Sequence, residues 1–227
     1  MATIANVRGT PLQIVNEVQR RMGYSETGVS ANRTARKYLD FLNDTLTRIS
    51  DYGDWPQLYE EVNVTAAACA INVEINASAP VKRIYEVAEN GQVSPLLPRP
   101  VEDIRLLQRT TAAGPPRQYA VVNTSGVNPI IRLDRSRQTT AMGFNIAVYT
   151  MHRLVGSAEA SDVLPFSSRL LTQGVYANAL LDENDGVPTR HWEANAQLFV
   201  GQLSEEYNRL QSDTGTDTRL VIRGRKN

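Results

Sequence analysis

Hydrophobic residues recur every three or four positions at both ends of this chain. At the N-terminal end the spacing predicts two helices, roughly Pro11–Met22 and Ala31–Tyr52. At the C-terminal end it predicts a third helix after the Asp162–Pro165 corner and a fourth from about Thr189 to about Leu210. A helix that is apolar along one stripe needs a neighbour to bury it, so we predict that the four helices pack into one antiparallel bundle.

The first helix carries clear signals at both of its ends. Thr10 can cap the free amides, Pro11 suits the first helical position and Gln13 can complete a capping box. Gly23 can end the helix in the left-handed conformation. The predicted stripes are Leu12, Val15, Val18 and Met22; Ala35, Tyr38, Leu42, Leu46 and Ile49; Leu170, Leu171, Val175, Ala177, Leu180 and Leu181; and Trp192, Ala196, Phe199, Leu203, Tyr207 and Leu210.

Between the helix pairs the pattern changes to alternation of apolar and polar residues, which is typical of strands. Pro98 and Pro100 interrupt this region before a predicted short helix at 101–107, and Asn90-Gly91 predicts a turn. We therefore expect an α+β protein with an inserted antiparallel β-sandwich or barrel-like region. The predicted strands are 58–64, 70–75, 81–87, 118–122, 129–133 and 144–151.

These patterns predict a division of the chain into four segments. Residues 1–54 supply the N-terminal helices of the bundle, 55–160 the β-rich insert and 161–211 the C-terminal helices. Residues 212–227 form an extended arm, with a polar spacer followed by a short β-prone run with basic ends. The arm could join its own sheet, stay in solvent or dock on another subunit or protein by strand addition.

Composition narrows the class of protein. The 227 residues carry 24 basic and 24 acidic side chains, so the net charge is zero, which argues against a dedicated nucleic-acid binder. No apolar run approaches the roughly 20 residues that span a bilayer, and no signal peptide is evident. The single cysteine permits no internal disulfide, which suits a reducing cytosol. We expect Cys69, within a run of small residues, to be a small buried or semi-buried hydrophobe.

A search for catalytic chemistry finds little. His152 and His191 have no partner at metal-ligand spacing, and we expect both to be structural. No nucleophile elbow and no phosphate-binding loop is present. We therefore predict no catalytic, cofactor-binding or metal site. The adjacent acids are expected on solvated surface and comprise Glu60-Glu61, Glu102-Asp103, Asp182-Glu183 with Asp185, and Glu205-Glu206.

Two basic groups and two tryptophans keep alternatives open. Arg33, Arg36 and Lys37 lie near a helix start, where they are either solvated or compensated by carboxylates of a partner. The run 132–137 holds three arginines, which predicts a solvated hairpin end or a loose contact with a phosphate backbone. Trp55 and Trp192 are core anchors or interface hot spots.

The order of these elements resembles the head-to-tail adaptor proteins of tailed phages, the tail tubular protein A-like family. The likeness covers about residues 10–211. It rests on the helix pair that ends at Asp54-Trp55-Pro56, the Leu97–Leu107 helix between prolines, Pro116-Arg117-Gln118-Tyr119, the long strand from Phe144 to Met151, the Leu164-Pro165 corner and closing helices with Ala177, Ala179, Ala194, Ala196 and Phe199.

The resemblance implies a virion structural protein and not an enzyme. It implies a homo-oligomeric ring of twelve copies beneath the portal protein, which continues the DNA channel and offers a docking surface for the tail nozzle or tail. Such a ring passes DNA without specific binding, has no membrane partner and is assembled in the host cytoplasm before it becomes part of the virion neck. Another head-completion or tail-terminator protein is the alternative; a cytosolic enzyme or a nucleic-acid binder is a weaker one.

Specific residues follow from this hypothesis. The anchors between subunits or within the core are Trp55, Trp192, Phe199 and Tyr207. Tyr149 and the 123–128 hairpin are candidates for the side that faces the tail. The arm that docks on the portal contains Arg219, Leu220, Val221, Ile222, Arg223, Arg225 and Lys226.

Overall fold

The structure, a computed structural model, describes residues 8–24, 33–92, 94–110, 112–123, 128–152 and 163–213. These residues form a mixed α+β fold with five α-helices and two β-sheets of three and four strands. They fall into two compact units. The helical unit comes from the residues before Leu58 and after Arg153, and the β unit is the part between them.

The elements have the following bounds. The helices are α1 Pro11–Arg21, α2 Arg33–Tyr52, α3 Val101–Thr110, α4 Ser168–Glu183 and α5 Arg190–Asp213. The strands are β1 Tyr59–Ala66, β2 Asn72–Glu74, β3 Val81–Glu89, β4 Leu97–Pro98, β5 Gln118–Asn123, β6 Ile130–Leu133 and β7 Met142–Thr150.

Both ends of α1 form as the sequence predicts. The Thr10 hydroxyl accepts from the Gln13 amide at 3.3 Å, and the Gln13 side chain accepts from the Thr10 amide at 2.9 Å. At the other end Gly23 has φ +79°, and the Tyr24 amide donates to the carbonyl of Gln19 at 2.9 Å. This pair of features closes the helix as a Schellman motif.

The buried side of α1 differs from the predicted stripe. Ile14, Val15 and Val18 are fully buried, whereas Leu12 and Met22 are only half-buried. The prediction was wrong for the last two because α1 contacts both α2 and α4. Two neighbours at different angles bury a sector that a single stripe does not describe.

Helix α4 is the centre of the helical unit, because it contacts α1, α2 and α5. Three neighbours leave α4 buried around most of its circumference, which explains why even its polar residues are inside. At Gly174 an added Cβ would overlap the side chain of Thr45 in α2 and come within 2.8 Å of Phe199 Cε2 in α5. The buried residues of α4 are Leu170, Leu171, Thr172, Gln173, Gly174, Val175, Ala177, Ala179 and Leu180.

Polar bonds fix α4 against α5. Ser167 caps α4, since its hydroxyl accepts from the Leu170 amide; the same hydroxyl donates to the carboxylate of Glu206 in α5. The Ser167 amide also donates to Glu206 at 3.2 Å. A carboxylate at a helix N-terminus is favoured by the helix dipole, so Glu206 sets where α5 lies along α4.

In the β unit, β7 lies at the centre of the three-stranded sheet β1-β7-β3, with both neighbours antiparallel. The second sheet has the order β2-β6-β5-β4. One hydrophobic core joins the two sheets, and β7 supplies four of its residues, Met142, Phe144, Ile146 and Val148. The alternation predicted for this strand therefore describes which of its side chains enter the core.

The second sheet corrects the prediction of a purely antiparallel region. The sequence did not predict β4, which pairs in parallel with β5 at Leu97 opposite Gln118. Parallel neighbours need a crossover, and α3 supplies it between β4 and β5. The described strands form two separate sheets and no closed barrel, so the barrel-like alternative was wrong.

The structure also corrects the environment of Cys69. This residue is exposed, in a turn after β1, and it has φ +64°. Its amide donates to the Arg137 carbonyl at 2.9 Å, and its thiol lies 3.3 Å from the Gln138 carbonyl oxygen. The expectation of burial was wrong because β1 ends at Ala66, before the run of small residues is finished.

We predict that Gly174→Ala lowers the free energy of unfolding by about 1 to 3 kcal/mol, because the methyl group overpacks a crossing of three helices. Chemical denaturation followed by circular dichroism measures this. The matched control is Gly201→Ala in α5, where nothing lies within 4 Å of the added Cβ. That change should raise stability by about 0.5 to 1 kcal/mol, and equal effects at both sites would contradict the packing argument.

We also predict that the native protein reacts with a thiol reagent such as Ellman's reagent at the rate of an exposed cysteine. Denaturation should then release no further thiol, since Cys69 is the one cysteine in the sequence. A thiol that reacts only after unfolding would show that the turn is wrong.

Candidate assembly surfaces

Reactive side chains are scattered over the described residues. Within these ranges no group of three or more His, Cys, Asp or Glu could hold a metal ion. His191 is exposed, with Nε2 3.2 Å from the Tyr176 hydroxyl. His152 is half-buried beside the end of β7. The candidate sites that the described residues offer for the predicted function are surfaces.

None of the described helices combines the length and the apolar character needed to cross a bilayer.

Trp55 lies in the core of the helical unit with no exposed surface. Its ring packs edge-on against Phe166 and Tyr207, at centroid distances of 5.2 and 5.0 Å. Its indole nitrogen donates to the Ile49 carbonyl at 2.6 Å. Gly53 completes this cluster, since a Cβ there would come within 2.6 Å of Tyr207 Cζ. These contacts give Trp55 a role in joining α2 to α5.

The other three anchors named from the sequence all lie on α5. Phe199 is buried at the contact with Gly174, and Tyr207 is half-buried against Trp55. Trp192 is half-buried in the first turns of the helix. Helix α5 also exposes two apolar side chains on the two flanks of Phe199, Leu198 and Val200, at 48% and 56% of their surface. The apolar stripe predicted for α5 did not include these two residues.

Three tyrosines that the sequence places far apart meet on the outer side of the β1-β7-β3 sheet. Tyr59 pairs directly with Tyr149, and the ring of Tyr85 lies 6.1 Å from that of Tyr149. Tyr59 and Tyr85 are 41% and 47% exposed. Glu61 and Glu86 are also exposed and both lie opposite Ala147 in the adjacent row. We call Tyr59, Glu61, Tyr85, Glu86 and Tyr149 the tyrosine face.

The tyrosine face has an acidic character that shows in the ionisation of Tyr59. The pKa of Tyr59 is raised to about 12, first by partial burial and then by the hydrogen bond and charge of Glu61 and the charge of Glu86. The Tyr59 hydroxyl donates to Glu61 Oε1 at 3.0 Å. Arg83, opposite Tyr149 in β3, is the basic residue in the same row. Of these three tyrosines, the sequence indicated Tyr149 alone as a surface candidate. Alternation shows which residues share a side of a strand, but it does not show which strands are neighbours.

Helix α3 exposes two acids in its first turn, Glu102 and Asp103, and arginines further along the helix. Ile104 is fully buried, whereas Leu106 is 63% exposed and lies between two exposed arginines, Arg105 and Arg109. Glu102 is exposed one turn before Leu106. We call Glu102, Arg105, Leu106 and Arg109 the α3 face. The sequence predicted the helix but gave no functional meaning to its exposed side.

The three arginines of the basic run at 132–137 bind side chains of the same chain and are not simply solvated. Arg135 pairs with the buried Asp134 at 3.0 Å, and Arg137 pairs with the buried Glu89 at 2.9 Å. Arg132 donates to the side chain of Asn72 at 3.1 Å. Burying a carboxylate demands a partner for its charge, so these arginines are structural. The prediction of a solvated hairpin end was wrong.

The basic group near the start of α2 also has a member that is paired within the same chain. Lys37 forms an ion pair with Asp182 in the last turn of α4. The carboxylate that compensates this lysine therefore belongs to the same chain. The side chain of Arg33 lies outside the described residues.

Two further predicted surfaces cannot be placed. The docking arm from Arg219 to Lys226 and residues 124–127 of the 123–128 hairpin lie outside the described residues. No protein-family model matches this chain, and a comparison with curated proteins finds no match.

We predict that Glu61→Gln lowers the pKa of Tyr59 toward its ordinary value of 10.0, because it removes a nearby negative charge while partial burial remains. Titration followed by NMR of ring-labelled tyrosine measures this. Glu60→Gln is the control, since the Glu60 carboxylate binds Ser78 instead. An unchanged Tyr59 pKa in Glu61→Gln would contradict the described hydrogen bond.

Proposed function

We propose that this chain is a virion structural protein of a tailed phage that forms the ring adaptor between the portal and the tail. In this role it extends the DNA channel and gives the tail a docking surface. The proposal includes the finer architecture predicted from the sequence. The four helices of the helical unit form an antiparallel bundle, and the two sheets form a β-sandwich inserted between the helix pairs.

The exposed side of α5 is the observation that carries the proposal. The helix has 24 residues, which makes it about 36 Å long. Its inner side is used by α4, while Leu198 and Val200 stay exposed on the other sides. Each of these side chains offers apolar surface that a neighbouring protein on that flank of the helix would remove from water. A neighbouring copy of the same chain would cover them in a ring wall.

The construction of the helical unit supports the same role. Segments from opposite ends of the chain meet there, since the Leu164 amide donates to the Gly9 carbonyl at 3.0 Å and Arg8 bridges to Ser167. In the sequence, the β unit lies between these two segments. A chain closed in this way can present helices to one set of neighbours and strands to another. The net charge of zero suits a channel wall that must not hold DNA tightly.

The C-terminal arm is proposed to dock on the portal. If this run pairs as a strand, its alternating order would put Arg219, Val221 and Arg223 on one side and Leu220 and Ile222 on the other. Such a strand can add to an exposed sheet edge, where main-chain bonds supply affinity and alternate side chains supply specificity.

The ring is tested by measuring the mass of the purified protein, free and after addition of portal particles, with electron micrographs of both samples. We expect a ring-sized assembly on the portal. A strict monomer that ignores portal particles would count against the proposal. A ring that binds at another level of the neck would favour a head-completion or tail-terminator protein instead.

The arm is tested by deletion of residues 213–227. We expect weaker attachment to the portal with an unchanged circular dichroism spectrum, because the deletion takes only the last residue, Asp213, from α5. The matched control replaces Thr214, Thr216 and Thr218 of the polar spacer with Ala and leaves the basic β-prone run intact. Unchanged attachment of the deleted protein would refute the arm assignment.

A further inference from the structure

We infer that neighbouring copies contact one another head-to-tail through their β units, with the tyrosine face of one copy against the α3 face of the next. The inference rests on the proposed ring and deepens it, because it names the surfaces that join adjacent subunits. The partner is a second copy of this chain.

The two faces lie on opposite sides of the β unit. In β7 the core takes Ile146 and Val148, so Tyr149 and its neighbours in the tyrosine face point away from that core. In β5 the core takes Tyr119, so the buried Ala120 points to the far side of the second sheet.

Helix α3 lies on that far side. It contacts β5 and β6, and its buried Ile104 is not part of the core that the two sheets share. The Gln108 side chain also donates to the Leu133 carbonyl at 2.6 Å, which holds the helix on the sheet. The order through the unit is therefore the tyrosine face, the first sheet, the core, the second sheet and the α3 face.

The chemistry of the two faces is complementary. A guanidinium group stacks well on a tyrosine ring and forms paired bonds with a carboxylate, and the tyrosine face offers both kinds of group. Arg105 and Arg109 supply the guanidinium groups, and Leu106 between them supplies an apolar surface for the exposed rings. Arg83 beside the tyrosine face, and Glu102 with the adjacent Asp103 on α3, reverse these signs, which favours one orientation of the two faces over others.

The signs also exclude the symmetric alternative. Two tyrosine faces brought together would oppose the carboxylates of Glu61 and Glu86 to their own copies, and two α3 faces would oppose arginines. Unlike faces on opposite sides of a unit produce a heterologous contact, which repeats from copy to copy. Such a contact yields a closed ring when the rotation between copies closes.

Two double charge reversals test the contact in the full-length protein. Glu61→Lys with Glu86→Lys makes the tyrosine face basic, and Arg105→Glu with Arg109→Glu makes the α3 face acidic. Each variant alone then carries two faces of like charge, and we expect self-association to weaken by at least about a hundredfold. In a 1:1 mixture the reversed tyrosine face of one variant meets the reversed α3 face of the other, and the two unreversed faces meet each other. Every contact between unlike variants then joins opposite charges, so mixed assemblies should form.

Sedimentation velocity of wild type, each variant and the mixture gives the readout, with circular dichroism to verify folding. The control is Glu183→Lys in the last turn of α4, an exposed acid outside both faces and outside α5, which should assemble as wild type does. Assembly of either double variant alone at wild-type strength overturns this contact and leaves the ring proposal standing. Loss of assembly in both variants without recovery in the mixture also overturns it. A wild-type protein that stays monomeric with and without portal overturns the ring itself, and this contact with it.

Discussion

The close approach of three helices at Gly174 is the constraint on which the helical unit depends. Thr45 from α2 and Phe199 from α5 occupy the space that any larger side chain would need. Because α2 and α5 both pack against α4 there, α4 has no solvent-exposed side. The same contact holds α5, from the C-terminal end of the chain, in the helical unit. Cores are packed to crystal density, so the position of one small residue decides where the long helices cross.

The same crossing determines which surfaces remain outside. Phe199 and Leu203 face α4. The helical period therefore places Leu198 and Val200 on the two flanks of Phe199, outside the contact with α4. The bonds from Ser167 to Glu206 fix the position of α5 along α4, so this exposed side is held in one place. The surface proposed for the ring wall is therefore a consequence of the packing inside.

In the β unit, the alternation of side chains along each strand decides which residues remain exposed. Strand β7 sends Phe144, Ile146 and Val148 into the core, which leaves Tyr149 outside beside tyrosines from both neighbouring strands. The arginines of the β unit also divide into a paired group and a surface group. Arg135 and Arg137 neutralise buried carboxylates, whereas Arg105 and Arg109 stay at the surface, although all four carry the same group.

The sequence by itself determined the helices, most of the strands, the α1 capping box and the Gly23 stop, because each depends on residues a few positions apart. It also identified Tyr149 and Phe199 as candidates. Only the tertiary structure decided that Tyr59 and Tyr85 join Tyr149, that the parallel strand β4 exists, that Cys69 is exposed and that Arg137 has a buried partner. Those facts depend on strand order and on contacts between residues distant in the chain, and local periodicity carries no record of either.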